Sequence, residues 1–166
     1  MTGEIDTILD RYEANLAEEE VRRRELREER TKRAQAIEAR LSVCMRDFVL
    51  PAVEKARNRL IARGYAASLE SSCERSLDTG ETFYRSVFLF VDSKKSMEEL
   101  KLPADMESQL LIVSHPHIEA IKVSMLIQNR KPPEFRMFRP EEMSGARAEE
   151  MVSSFIARAF AVGREQ

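Results

Sequence analysis

The side chains that could do chemistry in this sequence are few. His115 and His117 flank Pro116 and are its only histidines. Two imidazoles one residue apart on extended backbone point to the same side and can share a metal ion, with Cys44 and Cys73 as the available thiols. Neither cysteine belongs to a Cys-x-x-Cys pair, no His-Glu-x-x-His run occurs, and no serine is framed as Gly-x-Ser-x-Gly. With five glycines in the chain there is no glycine-rich loop to cradle a phosphate. The reading is a non-enzymatic chain with no catalytic residue, no metal and no cofactor. His115-Pro116-His117 is expected to be a turn with its imidazoles in water. Cys44, on the apolar face of a helix, reads as a small buried hydrophobe, and Cys73 as a partly exposed thiol near a strand end.

Two clusters of cations carry the next chemistry. Arg22, Arg23, Arg24, Arg27 and Arg30 run on into Lys32 and Arg33, while Arg130, Lys131, Arg136 and Arg139 surround Phe135 and Phe138. Cations attract phosphates and aromatic rings stack on unpaired bases, so Arg22, Arg23, Arg24, Arg27, Arg30, Arg130, Lys131 and Arg136 are where nucleic acid would bind. Against this, 27 Lys and Arg face 29 Asp and Glu, and Glu25, Glu28 and Glu29 lie among the helical arginines. A solvated charged helix accounts for the first cluster more simply, and a sheet surface for Arg136. Nucleic-acid association is therefore the alternative reading.

The third group is apolar. Ile5, Ile8, Leu9, Tyr12 and Leu16 repeat at helical spacing and form one stripe. A helix of some 60 residues spans about 90 Å, longer than the body of a single small domain. Pro51, the strong breaker, comes too late to fold residues 5–16 back. The stripe is thus expected to meet a second copy of the chain or another protein.

These groups depend on the elements that hold them. Residues 4–40 lack glycine and proline and are rich in Glu, Arg, Ala and Leu, which favours one long helix, with Thr2 or Asp6 as its cap. Glu18/Arg22, Glu19/Arg23, Glu20/Arg24, Glu28/Lys32 and Glu29/Arg33 each place an acid four residues before a base, worth about 0.2–0.5 kcal/mol per pair. Alternating steps of four and three from Ile5 reach Leu9, Tyr12, Leu16, Glu19, Arg23, Leu26, Arg30, Arg33 and Ile37. That seam is apolar at the tip and charged in the middle. Leu41, Cys44 and Phe48 restore an apolar face, joined by Val49, Val53, Ala56, Leu60 and Ile61, so residues 37–63 are expected to pack on a globular body. Pro51 implies either a kink near Asp47 or a fresh helix start, and Gly64 a stop.

Beyond Gly64 the period becomes two. Residues 65–74 and Thr82–Val91 read as a hairpin about Asp78-Thr79-Gly80, the second strand being apolar on both faces. Residues 92–108 read as a loop with one helical turn near Met97–Leu100. Leu110–Ser114, Ile118–Gln128 and Glu134–Arg139 read as further strands, with 129–133 as a turn. Ala148, Met151, Val152, Phe155, Ile156, Ala159 and Phe160 mark a final helix over 146–161, stopped by Gly163.

The fold class is therefore α+β: a long N-terminal helix with a possible coiled-coil tip, an antiparallel sheet of about four to five strands, and a C-terminal helix packed on the sheet. The expected domains are a projecting charged, coiled-coil-like helix over 1–36 and an α+β globular domain over 37–166. The absence of an early apolar run and of a cysteine framework suggests a reduced, cytoplasmic protein with no membrane partner. Its expected role is protein–protein interaction or assembly, as a homodimer or docked on another protein.

Overall fold

A computed structural model describes residues 2–75, 80–94 and 102–161. The fold is α+β. Helix α1, Thr2–Cys44, leads through a π-helical turn at Met45–Val49 into α2, Leu50–Ala62. Five strands follow: β1 Ala67–Arg75, β2 Thr82–Val91, β3 Ser108–His115, β4 Ala120–Ile127 and β5 Arg130–Phe138. Helix α3, Gly145–Ala159, closes the order. The chain divides into two compact units, Met1–Ile37 and Glu38–Gln166.

Within the first unit, every residue from 3 to 36 is exposed. The segment stays helical through local means: Thr7 Oγ1 donates to the Gly3 carbonyl at 2.8 Å and Arg23 meets Glu19 at 2.7 Å. Because the helix already begins at Thr2, Asp6 lies inside it and Thr2 is its first helical residue, so neither of the two residues expected to cap it stands before it.

In the second unit the sheet is an antiparallel meander, each strand pairing with its sequence neighbour. Its register places Val87, Leu89, Leu110, Ile112, Ile121 and Val123 on one face, all of them buried. The helices supply Leu41, Met45, Val49, Val53 and Phe155 to the core, every one essentially inaccessible to solvent. Burying each such side chain contributes about 1.5–3 kcal/mol, which makes this layer the main source of stability.

Polar ties fix the start of this unit. Ser42 Oγ donates to the Thr82 carbonyl and accepts from the Tyr84 amide, both at 3.3 Å. Arg40 pairs with Glu141 at 3.0 Å, and Arg85 pairs with Glu38 and with Glu74. None of these partners is close in sequence.

Pro51 takes the second of the two places expected, in the first turn of α2, and a π turn at Met45–Val49 precedes it. Val49 and Leu50 keep right-handed helical dihedrals, and the Leu50 amide reaches back to the Met45 carbonyl. The wider π turn sits where proline offers no amide and where its ring would crowd a carbonyl of the preceding turn. Gly64 ends α2 as expected. With φ at +87° it occupies the left-handed position, its amide bonding the Ile61 carbonyl while the Tyr65 amide bonds that of Leu60. This double closure is a Schellman motif. Ile61, assigned to the apolar face, is instead 52% exposed because it lies one step off the Val53 and Leu60 line.

The strand after the last hairpin is longer than expected. The turn is confined to Gln128 and Asn129, both at positive φ, and β5 already pairs at Arg130 with Ile127. Pro132 and Pro133 fit because β5 is an edge strand and its register is irregular between Met125 and Ile127. The strands around His115-Pro116-His117 are Ser108–His115 and Ala120–Ile127, with Pro116–Ile118 as a 3-10 turn. The segments expected to form the Asp78-Thr79 turn, the Met97–Leu100 helical turn and the Gly163 stop lie outside the described residues.

Helix α3 runs over Gly145–Ala159 and begins at Ser144, whose hydroxyl accepts the Arg147 amide at 3.1 Å. At its other end Gln128 Nε2 donates to the Ala159 and Ala161 carbonyls at 3.2 and 3.3 Å. Each end thereby gains a side-chain partner for some of its unpaired backbone groups. Ser144→Ala is expected to cost about 1 kcal/mol in chemical unfolding, the usual loss on removing an N-cap hydroxyl.

Candidate interaction surface on the N-terminal helix

The residues that form α1 put the apolar stripe on its surface. Steps of three and four align Ile5, Ile8, Leu9, Tyr12 and Leu16 along one side of the helix. They are 59, 62, 49, 59 and 41% exposed, and Leu26 farther along is also exposed. Five large apolar side chains on one face form a contiguous patch of the kind that soluble chains usually cover.

The cations named as the alternative site fall into both units. Arg22, Arg23, Arg24, Arg27 and Arg30 are exposed on α1, where Arg23 is engaged by Glu19. Arg130 and Lys131 begin β5, while Arg136 lies near its end, about 20 Å farther along at a strand's rise per residue. Arg136 shares its face with Glu134 and Phe138, and its guanidinium carbon lies 5.2 Å from the Phe138 ring centre. Arg158 pairs with Glu134 at 2.5 Å and holds that carboxyl below its ordinary range through a hydrogen bond and its charge. The strand therefore does not gather its three cations into one basic face.

The histidines separate likewise. His115 ends β3 opposite Ala120, half-buried, whereas His117 is exposed in the following turn beside Glu119, Arg139 and Glu141. Among the described residues no three His, Cys, Asp or Glu side chains converge as a metal would require. Cys44 is buried, its Sγ 3.5 Å from the Pro140 carbonyl, and burial pushes its thiol up from the ordinary value. Cys73 is exposed on β1, more so than expected. Since the thiolate is the reactive form, a thiol-specific reagent at pH 7–8 is expected to modify Cys73 rapidly and Cys44 only after unfolding. Counting modified thiols with and without denaturant checks this; two equally reactive thiols in the native protein would contradict it.

One surface escaped the sequence, and another that it named, around Phe135, gains its setting. A groove of about 280 Å³ runs between β5 and α3, lined by Glu134, Arg136, Arg147, Glu150 and Arg158 over Val123 and Met125. On the opposite sheet face Phe135 is 63% exposed, with Lys122 Nζ 4.8 Å from its ring centre. Strand alternation separates Glu134 and Arg136 from Phe135 and Met137, but which set faces α3 is decided by tertiary packing. No described helix is long and apolar enough to cross a membrane. Compared with protein-family models, curated proteins and solved structures, the chain finds no match.

Proposed function

We propose that this chain is a non-enzymatic assembly module that self-associates through the apolar stripe of α1. The observation that carries the reading is the exposure of Ile5, Ile8, Leu9, Tyr12 and Leu16 on a helix whose residues 3–36 are all exposed. An isolated helix gains little from its own propensities and i,i+4 pairs, and packing of its apolar face against a second helix supplies the remainder. The alternative, nucleic-acid binding through Arg22, Arg23 and Arg24, is disfavoured by the Glu19–Arg23 pair and the interspersed glutamates, which weaken the local field.

Light scattering over a dilution series tests the reading. The expected mass at high concentration is twice the 19.1 kDa of one chain, falling to one chain on dilution. A strict single-chain mass at every concentration would overturn it. Binding to a DNA or RNA oligonucleotide that weakens with salt and with Arg22→Ala, Arg23→Ala and Arg24→Ala would favour the alternative.

A further inference from the structure

The first unit is polarised along its length. Residues 1–20 hold seven acidic and one basic side chain, whereas residues 21–37 hold three acidic and seven basic. Two such helices side by side in parallel set acid against acid and base against base. Reversing one of them sets the acidic half of each against the basic half of the other.

The seam gives the same answer at single-residue resolution. In a parallel, in-register pair each core residue meets its own copy, so Glu19, Arg23, Arg30 and Arg33 would form four like-charge core layers. In an antiparallel pair centred near Val21, the two kinds of core position face each other instead. Ile5 then meets Ile37, Tyr12 meets Arg30, Leu16 meets Leu26, and Glu19 meets Arg23 of the second copy. Leu9 meets Arg33, whose aliphatic stem can cover it while the guanidinium reaches water. Two-fold symmetry makes every one of these contacts occur twice.

The flanks agree with the core. Glu13 falls opposite Arg27 and Ile8 opposite Ala36. The two like-charge contacts that symmetry forces, Glu20 with its copy and Arg22 with its copy, border a four-charge cluster of Glu19 and Arg23 whose signs alternate. The charged core positions that spoil a parallel coiled coil thus become cross-chain partners. Tyr12 and Arg30 add a ring beneath a guanidinium, a contact favourable in its own right.

Resting on the self-association reading above, we propose that the occupant of the stripe is a second copy of this chain, bound antiparallel over residues 5–37. The parallel arrangement is disfavoured by its four like-charge core layers at Glu19, Arg23, Arg30 and Arg33. Attraction between opposite halves is screened by salt, so the antiparallel pair weakens as ionic strength rises.

Spin-label distance measurements decide the orientation in the full chain carrying Cys73→Ser, with one nitroxide at either Val21→Cys or Thr7→Cys. Both positions are exposed and lie on the outer side of the proposed seam. The antiparallel pair predicts about 20–25 Å between labels at position 21 and about 45–50 Å at position 7, from helix diameter and rise. Short distances of about 20–25 Å at both positions would overturn the antiparallel arrangement while leaving self-association standing. No label–label coupling at either position, together with a single-chain mass at the same concentration, would overturn both.

Discussion

Leu16→Glu is expected to raise the dissociation constant of the two-chain assembly by about a hundred- to ten-thousand-fold. In the antiparallel pair each Leu16 buries against Leu26 of the other copy, and symmetry gives two such layers. Losing two leucine burials removes about 3–6 kcal/mol at 1.5–3 kcal/mol apiece, and each 1.4 kcal/mol is a factor of ten. The new carboxylates have no cation directly across from them. Leu9→Glu is expected to weaken the pair less, because its carboxylate arrives opposite Arg33. Sedimentation equilibrium of both variants beside the parent checks the order of the effects. Equal losses, or none, would contradict the assigned register. Both side chains are exposed in the single chain, so neither change should alter the unfolding of the α+β unit.

Phe155→Ala should do the reverse. The Phe155 side chain on α3 is completely buried, and removing a buried phenylalanine costs about 3–5 kcal/mol in lost transfer energy and residual cavity. With a urea slope of about 1–3 kcal/mol per molar, the unfolding midpoint should fall by about 2 M. Urea titration followed by circular dichroism measures it, and a loss below about 1 kcal/mol would show that the core closes around the gap. Association through α1 should persist at urea concentrations where the variant remains folded.

The parts of the fold legible in the sequence are those that local pattern controls. The glycine- and proline-free run fixes α1, the change of period after Gly64 announces β1, and the spacing from Ala148 to Ala159 defines the buried side of α3. What failed depends on position within the whole. Pro132 and Pro133 look like turn residues until β5 is known to be an edge strand whose ladder is irregular between Met125 and Ile127, so that an open edge and a broken register together spare the two missing amides. For Pro51 local pattern leaves a kink and a fresh helix start equally open, and only the whole chain decides for a start, with Pro51 in the first turn of α2 after a π turn. Arg40–Glu141, Arg85–Glu38 and Arg158–Glu134 join groups that no spacing rule could pair.

The candidate surface divides in the same way. The stripe from Ile5 to Leu16 follows from helical spacing alone, and its exposure from the structure. The charged seam positions look like defects if the chain is weighed against an in-register copy of itself. Their complementarity emerges only when one copy is reversed, since pairwise electrostatics depends on who faces whom.

Amide hydrogen exchange as a function of protein concentration tests the central claim most directly. A helix that associates through its own face should show protection across residues 5–37 that rises with concentration, while protection in β2, β3 and β4 stays constant. Protection over residues 5–37 that is the same from the most dilute to the most concentrated sample would mean that the stripe has no partner in a second chain, and would contradict the account.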